Sequence, residues 1–175
     1  MAGILRDLTR VLEAVPEDST NAFVDAIVDA KCVFMHGLGR SGLVARMFGM
    51  RLVHLSQLAT IVGDTTAPPI GKDDLLVVCS RTGRSPILRH AVSLAHNEGA
   101  RAVAVVGDEG TRLAKPADLV IRLPIELASK ATPQPMGSLF EQALLLYLDG
   151  IIVLRLMDRL GLTQEDMERV HSNLP

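Results

Sequence analysis

The feature that most constrains this chain is a local pattern that recurs along it: a short apolar run ends at a glycine- or serine-rich turn, and helical periodicity begins directly after the turn. Cys32 to His36 stops at Gly37, too short for a helix and bounded by glycine, which suits a buried strand. Gly42 to Leu55 then shows the spacing of a helix. Leu75 to Ser80 repeats the theme, with a Thr82-Gly83 turn and a helix from Ser85 to Asn97. Ala59 to Val62, Ala102 to Val106 and Leu119 to Leu123 read as three more strands, with a short helix near Thr111 to Ala114 between the last two. At the start, Ile4, Leu5, Leu8, Val11, Leu12 and Val15 recur at helical spacing until Pro16, and a second helix runs from Ser19 to Ala30. A long helix from Gly137 to Leu160 and a short one from Thr163 to Val170 close the sequence. Strands alternating with helices imply right-handed crossovers, hence an α/β fold with an open, doubly wound parallel sheet of five strands flanked by helices. Ligands of such sheets bind beyond the carboxyl ends of the strands, so the residues after His36, Val62 and Cys79 share one rim.

A length of 175 residues accommodates one domain, 1–175, with 1–30 as a helical lead-in and 31–175 as the sheet core and C-terminal helices. Eighteen basic against twenty acidic residues leave a net charge of -2, and only four Phe and one Tyr are available for stacking, so nucleic acid is not an expected partner. Cys32 and Cys79 lie far apart and in no ligand-like spacing, which indicates neither a disulfide framework nor a metal site. Arg6, Asp7, Arg10 and Glu13 interrupt the first apolar pattern as no secretory segment would tolerate. The most apolar stretch, Ala143 to Met157, is broken by Asp149 and Arg155 and falls short of the ~20 residues of a bilayer span. A cytoplasmic protein with no membrane partner is the expectation. Aliphatic content is high for so few aromatics, which points to subunit interfaces, and the apolar residues on more than one face of the Gly137 to Leu160 helix point to a homo-oligomer through a helix-mediated dimer.

Two turns carry the chemistry. Gly37-Leu38-Gly39-Arg40-Ser41-Gly42 matches the G-x-G-x-x-G dinucleotide fingerprint between a strand and a helix, with Asp64 near the place of a ribose-binding acid. The physics requires only that glycines let the backbone approach an anion at a helix N-terminus, and Arg40 and Ser41 suit a sugar or phosphate. Ser80-Arg81-Thr82-Gly83-Arg84-Ser85 gathers three hydroxyls around a glycine before the next helix. With the free N–H groups of the helix's first turn they form a cage for one phosphate monoester. No lysine follows the glycine, so triphosphate hydrolysis is disfavoured. The plain alternatives are a tight turn for the first segment and turn and N-cap residues for the second.

These turns, together with Val62-Gly63-Asp64-Thr65-Thr66-Ala67-Pro68, the stretch Gln134-Pro135-Met136-Gly137-Ser138-Leu139-Phe140-Glu141 and the tail Arg169 to Leu174, resemble the sugar isomerase (SIS) domain and, within it, the 6-phospho-3-hexuloisomerase family. The resemblance runs from about Lys31 to the C-terminus. Arg81 departs from it, standing where many relatives carry glycine; Thr82 stands where serine is common and His36 where an aromatic is usual. The resemblance implies a SIS-type three-layer sandwich of flavodoxin kind that needs no cofactor. It also implies a reaction interconverting D-arabino-hex-3-ulose 6-phosphate and fructose 6-phosphate through a cis-enediol, as in formaldehyde assimilation by the ribulose monophosphate pathway. That reaction calls for one base serving C2 and C3, and Glu141 matches the family's glutamate. His171 is the second acid/base candidate, in its own or a neighbouring subunit's site. Arg51 matches a family arginine and is a substrate or interface cation; its alternative is a structural ion pair. His54, His90 and His96 fall within helices and read as structural. Alternative readings are another SIS isomerase, for arabinose 5-phosphate or a heptose phosphate, a sugar-phosphate-binding module without turnover, and a nucleotide-dependent oxidoreductase.

Overall fold

The computed structural model describes residues 1–128, 134–171 and 173. Five parallel strands, β1 (Val33–Gly37), β2 (Ala59–Ile61), β3 (Leu75–Ser80), β4 (Arg101–Val106) and β5 (Leu119–Arg122), lie in the order β2-β1-β3-β4-β5. The chain leaves β1 toward one edge and β3 toward the other, so the sheet reverses direction between these two neighbours. Their register pairs Gly37 with Cys79, which brings the two turns that follow them side by side.

Alternation along the strands builds two cores. Val33, Met35, Leu75, Val77, Cys79, Val103, Val105 and Ile121 point to one face. There they meet α1 (Ala2–Glu13), α2 (Glu17–Val28), α3 (Gly39–His54) and the C-terminal helices. Phe34, Leu76, Val78, Ala102, Ala104 and Val106 point the other way, onto Leu88, Val92 and Ala95 of α4 (Pro86–Asn97). The expected lead-in helices are thus part of the first layer, their Val11, Phe23 and Ile27 fully buried.

Two expectations are corrected. The segment near Thr111 to Ala114 is a turn closed by the Thr111 hydroxyl accepting from the Ala114 N–H at 3.2 Å, not a helix. The long terminal helix is α5 (Ser138–Leu145), a π-helical segment Leu146–Ile152, and α6 (Val153–Leu160), ended by Gly161 at φ +66°. Apolar spacing cannot tell a π turn from an α turn over so short a stretch. Beyond it, α7 (Gln164–Arg169) is opened by a capping box between Thr163 and Asp166. A short 3-10 turn, Ile125–Leu127, follows β5 and was not foreseen.

The π segment buries Tyr147, whose phenol shares a 3.2 Å hydrogen bond with the Thr20 hydroxyl of α2. Burial pushes the Tyr147 phenol up to about 12, against smaller lowering effects from Thr20 and Arg155. Burial likewise pushes the Cys79 thiol up to about 12. Both groups hold their protons more tightly folded than unfolded. Their stabilising contribution is complete below the ordinary values of 9.0 for the thiol and 10.0 for the phenol, and is lost as pH rises toward about 12. Urea unfolding should therefore show stability declining across that window, by up to about 1.4 kcal/mol per pH unit for each group. The Cys79→Ala/Tyr147→Phe double variant should show a flatter profile; an unchanged slope would contradict the assignment.

Candidate active site

The first turn is built by close backbone approach. A Cβ on Gly42 would lie 2.5 Å from the Gly37 carbonyl oxygen, and a Cβ on Gly37 would lie 2.9 Å from Gly42 Cα. Two of the three fingerprint glycines therefore serve strand-to-helix packing. Gly39 differs: it sits at φ +55° with open space where a side chain would project, so its backbone faces the rim. Ser41 is buried in the first turn of α3, while Arg40 is exposed and reaches across to the start of α5, where its Nε lies 3.2 Å from Glu141 Oε2. Asp64 is held by Arg46 at 2.8 Å and is not a free acid for a ribose.

The second turn is tightly organised. The Ser80 hydroxyl accepts from the Gly83 N–H at 3.2 Å, and the Ser85 hydroxyl caps α4 by accepting from the Leu88 N–H at 3.3 Å. Each hydroxyl keeps its own hydrogen to donate to a ligand. Because Pro86 has no N–H and the Leu88 N–H is used by the cap, the first turn of α4 offers fewer free donors than the sequence suggested. Charge makes up the difference. Arg81, Arg84 and Arg112 line a cavity of about 900 Å³ over the carboxyl ends of β3, β4 and β5, and none is ion-paired among the described residues. Arg122, also in its wall, is paired with Glu126.

Three supports escaped the sequence reading. Gly83, at φ +56°, packs so closely on Thr111 that a Cβ would fall 2.2 Å from its hydroxyl oxygen. Gly107 donates its N–H to the Arg81 carbonyl at 3.2 Å, tying the second turn to the end of β4. Gly137 leaves a recess between two side chains: a Cβ there would lie 2.8 Å from Glu141 Oε1 and 3.0 Å from Arg81 Nε. Glycine in the Pro-Met-Gly turn was the only sequence signal for the last of these.

Glu141, Arg40, Arg81 and the two turns thus converge where the sheet reverses. Burial pushes the pKa of His36, at the end of β1, below its ordinary value, favouring the neutral ring. His171 and Arg51 do not join this cluster within the protomer. They lie at the opposite end of α3, which at ~1.5 Å per residue puts Arg51 some ~16 Å beyond Arg40. Arg51 is paired with Asp149 of the π segment at 2.7 Å. His171 stacks on His54, ring centroids 5.1 Å apart, and both line a second cavity of about 440 Å³. Burial, then His171 and Arg51, push His54 below the ordinary histidine range. His96 pairs with Asp118 at the far end of α4. The tail residues Ser172 and Leu174, part of the family resemblance, lie outside the described residues. Among the described residues no group of His, Cys, Asp or Glu is arranged to hold a metal ion, and no helix is long and apolar enough to cross a membrane.

A doubly wound sheet with paired anion turns and a carboxylate at their junction is the plan of a sugar-phosphate isomerase domain. The model of the SIS domain matches residues 26–146, and the chain belongs to that family. Within it, the chain is 37% identical over 99% of its length to 3-hexulose-6-phosphate isomerase of Bacillus subtilis strain 168, covering 96% of that protein. It is 33% identical to the enzyme of the same name from Methylomonas aminofaciens, covering 98% of this chain and 96% of that one. A crystal structure from Methanococcus jannaschii, which infers the function of a 3-hexulose-6-phosphate isomerase, superposes with a TM-score of 0.89 at 31% identity, covering 99% of this chain and 98% of that one.

The geometry separates the three hydroxyls of the phosphate turn. Replacing Ser80, Thr82 or Ser85 by Ala should each weaken sugar-phosphate binding by about 1.5 to 3 kcal/mol, roughly ten- to a hundredfold. Only Ser85→Ala should also lower stability, by about 1 kcal/mol, because only it removes the cap of α4. Titration calorimetry and thermal unfolding measure the two effects; wild-type affinity in all three variants would contradict the cage.

Proposed function

We propose that this chain interconverts D-arabino-hex-3-ulose 6-phosphate and D-fructose 6-phosphate. The observation that carries the reading is Glu141 at the junction of the two anion turns, tied to the first by Arg40 and beside Arg81 of the second. The chain is a sugar-phosphate isomerase, and its likeness along nearly the whole length to 3-hexulose-6-phosphate isomerases favours this substrate over arabinose 5-phosphate or a heptose phosphate. The same likeness supports a cytoplasmic role in ribulose monophosphate chemistry, including formaldehyde assimilation, with the chain acting as one SIS unit.

The chemistry follows from the carbonyl position. The substrate phosphate sits in the cage of Ser80, Thr82 and Ser85, with Gly83 and Arg84 beside it. Gly37, Gly39, Arg40 and Ser41 border the sugar. The C2–H bond breaks with its proton passing to Glu141, its electron pair forms C2=C3, and the C3 carbonyl pair moves onto O3. Transfer of the O2 proton to O3 and return of the proton from Glu141 to C3 leave the carbonyl at C2. No electrons enter or leave.

His171 and Arg51 serve this chemistry only through a second copy, and the surface favours one. Leu43, Met47 and Met50 make an exposed apolar stripe along α3, and Leu146 and Leu154 extend apolar exposure onto the C-terminal helices. A dimer, or a tetramer of two such dimers, covers them and brings one protomer's His171 toward its partner's Glu141.

One set of enzymes tests the whole reading. Wild-type protein should form fructose 6-phosphate from the hexulose phosphate, and Glu141→Gln should lower kcat by about 10² or more with KM nearly unchanged. His171→Ala should also be impaired. Dissociated and reassociated together, the two variants should recover about a quarter of wild-type activity, the statistical yield of one intact site in half of the dimers. Normal turnover by Glu141→Gln would move the base elsewhere, and no recovery on mixing would confine His171 to its own subunit.

A further inference from the structure

Arg81 is usually the last residue one would assign to the reacting end of the substrate, because it belongs to the phosphate turn. Besides lining the cavity beside that turn, its side chain reaches Gly137. Nε and Cδ lie 3.0 and 3.1 Å from the point a Cβ on Gly137 would occupy, and Glu141 Oε1 lies 2.8 Å from that same point. The two atoms are therefore within about 6 Å of each other, yet Arg81 makes no ion pair among the described residues, Glu141 being engaged by Arg40 instead. Its backbone is fixed by the hydrogen bond from the Gly107 N–H, so the guanidinium starts from an anchored root. A cation with no ion pair among the described residues and a carboxylate thus flank one recess, closer than about 6 Å but out of contact and too narrow for a further carbon, so a substrate bound over its mouth has the base and the guanidinium as neighbours.

We propose that the Arg81 guanidinium is the electrophile of the isomerisation: it faces O3 and O2 while Glu141 moves the proton between C2 and C3. The assignment rests on the isomerase reading and gives it the part it lacks. When the C2 proton leaves, a full negative charge collects on O3, and a preorganised donor aimed at that oxygen lowers the barrier most where water is excluded. Arg40 cannot do this while it holds the base. Arg84 and Arg112 line the cavity beside the turn, whereas the atoms nearest a Cβ on Gly137 belong to Glu141 and Arg81. Because the same proton transfer run backwards puts the charge on O2, one planar guanidinium with several donors serves both directions. Gly137 is the residue that keeps the space between base and electrophile; at φ -105° its backbone accepts alanine, and only the methyl would intrude.

The test separates reacting-end contact from phosphate contact. Arg81→Gln should fold like wild type, since the side chain is exposed, and should lose roughly 10²- to 10³-fold in kcat. Its KM should stay within about threefold of wild type, as expected for a contact made mainly in the transition state. Arg81→Lys, keeping charge without the fork, should recover part of the loss. The decisive probe is 4-phospho-D-erythronohydroxamate, whose two hydroxamate oxygens stand where O2 and O3 of the enediolate would be. Its inhibition constant should rise in Arg81→Gln in parallel with the fall in kcat/KM. Inorganic phosphate should inhibit the variant and wild type alike. Near-normal kcat in Arg81→Gln, or equal weakening of hydroxamate and inorganic phosphate, would overturn the proposal and return Arg81 to the phosphate. Wild-type enzyme that leaves the hexulose phosphate unconverted would instead overturn the functional reading itself.

Discussion

The parallel pairing of β1 with β3 governs everything else in this molecule. In-register hydrogen bonding from Val33 opposite Leu75 to Gly37 opposite Cys79 ends both strands at one level, so their turns emerge as neighbours. Because the chain then departs in opposite directions, nothing of the sheet itself fills the space above them. A shift of one residue in that register would turn either Met35 of β1 or Val77 and Cys79 of β3 out of the larger core and offset the turns. Burial of the aliphatic strands thus fixes the relative position of Arg40 and Ser80 before any ligand is involved.

On this platform the rest of the site arrives by side-chain reach. Arg40 crosses from the first turn to Glu141, and Arg81 crosses from the second to the recess at Gly137. The carboxylate is held on one side and approached on the other by Arg40 and Arg81, just over forty positions apart in sequence, a convergence that the sheet order permits. At the far end of α3 the Arg51–Asp149 pair and the His54–His171 stack form a second polar cluster, remote from the first within one chain. Exposed Leu43, Met47 and Met50 lie along the helix that joins the two clusters. On the proposed reading, a two-fold partner on that helix lets both clusters serve one site.

The legible part of this architecture was local. Strand runs such as Leu75 to Ser80 announce themselves by β-branched and aliphatic residues bounded by turn signals, and all five strands and their parallel, doubly wound arrangement follow from that pattern. The cap at Ser85 was legible for the same reason, as a hydroxyl beside a proline at the first position of α4. What was illegible depends on distant partners. The role of Gly137 depends on where Arg81 and Glu141 end up, and the packing role of Gly83 depends on Thr111. The widening of the helix at Leu146–Ile152 coincides with Tyr147 meeting Thr20 and Asp149 meeting Arg51, contacts that apolar periodicity does not encode. Arg51 reads from sequence as a substrate or interface cation or as half of an ion pair, and only the fold places Asp149 beside it.

The central claim is that one carboxylate carries a proton between C2 and C3 of a six-carbon ketose phosphate, and isotope position tests it most directly. Wild-type enzyme supplied with D-arabino-hex-3-ulose 6-phosphate deuterated at C2, in ordinary water, should yield fructose 6-phosphate in which whatever deuterium is retained resides at C3 alone. Run with unlabelled substrate in deuterated water, it should introduce solvent deuterium at that same carbon, since a carboxyl group holding the proton exchanges it with solvent. Label at C1, an aldose product, or unchanged substrate after prolonged incubation would contradict the account.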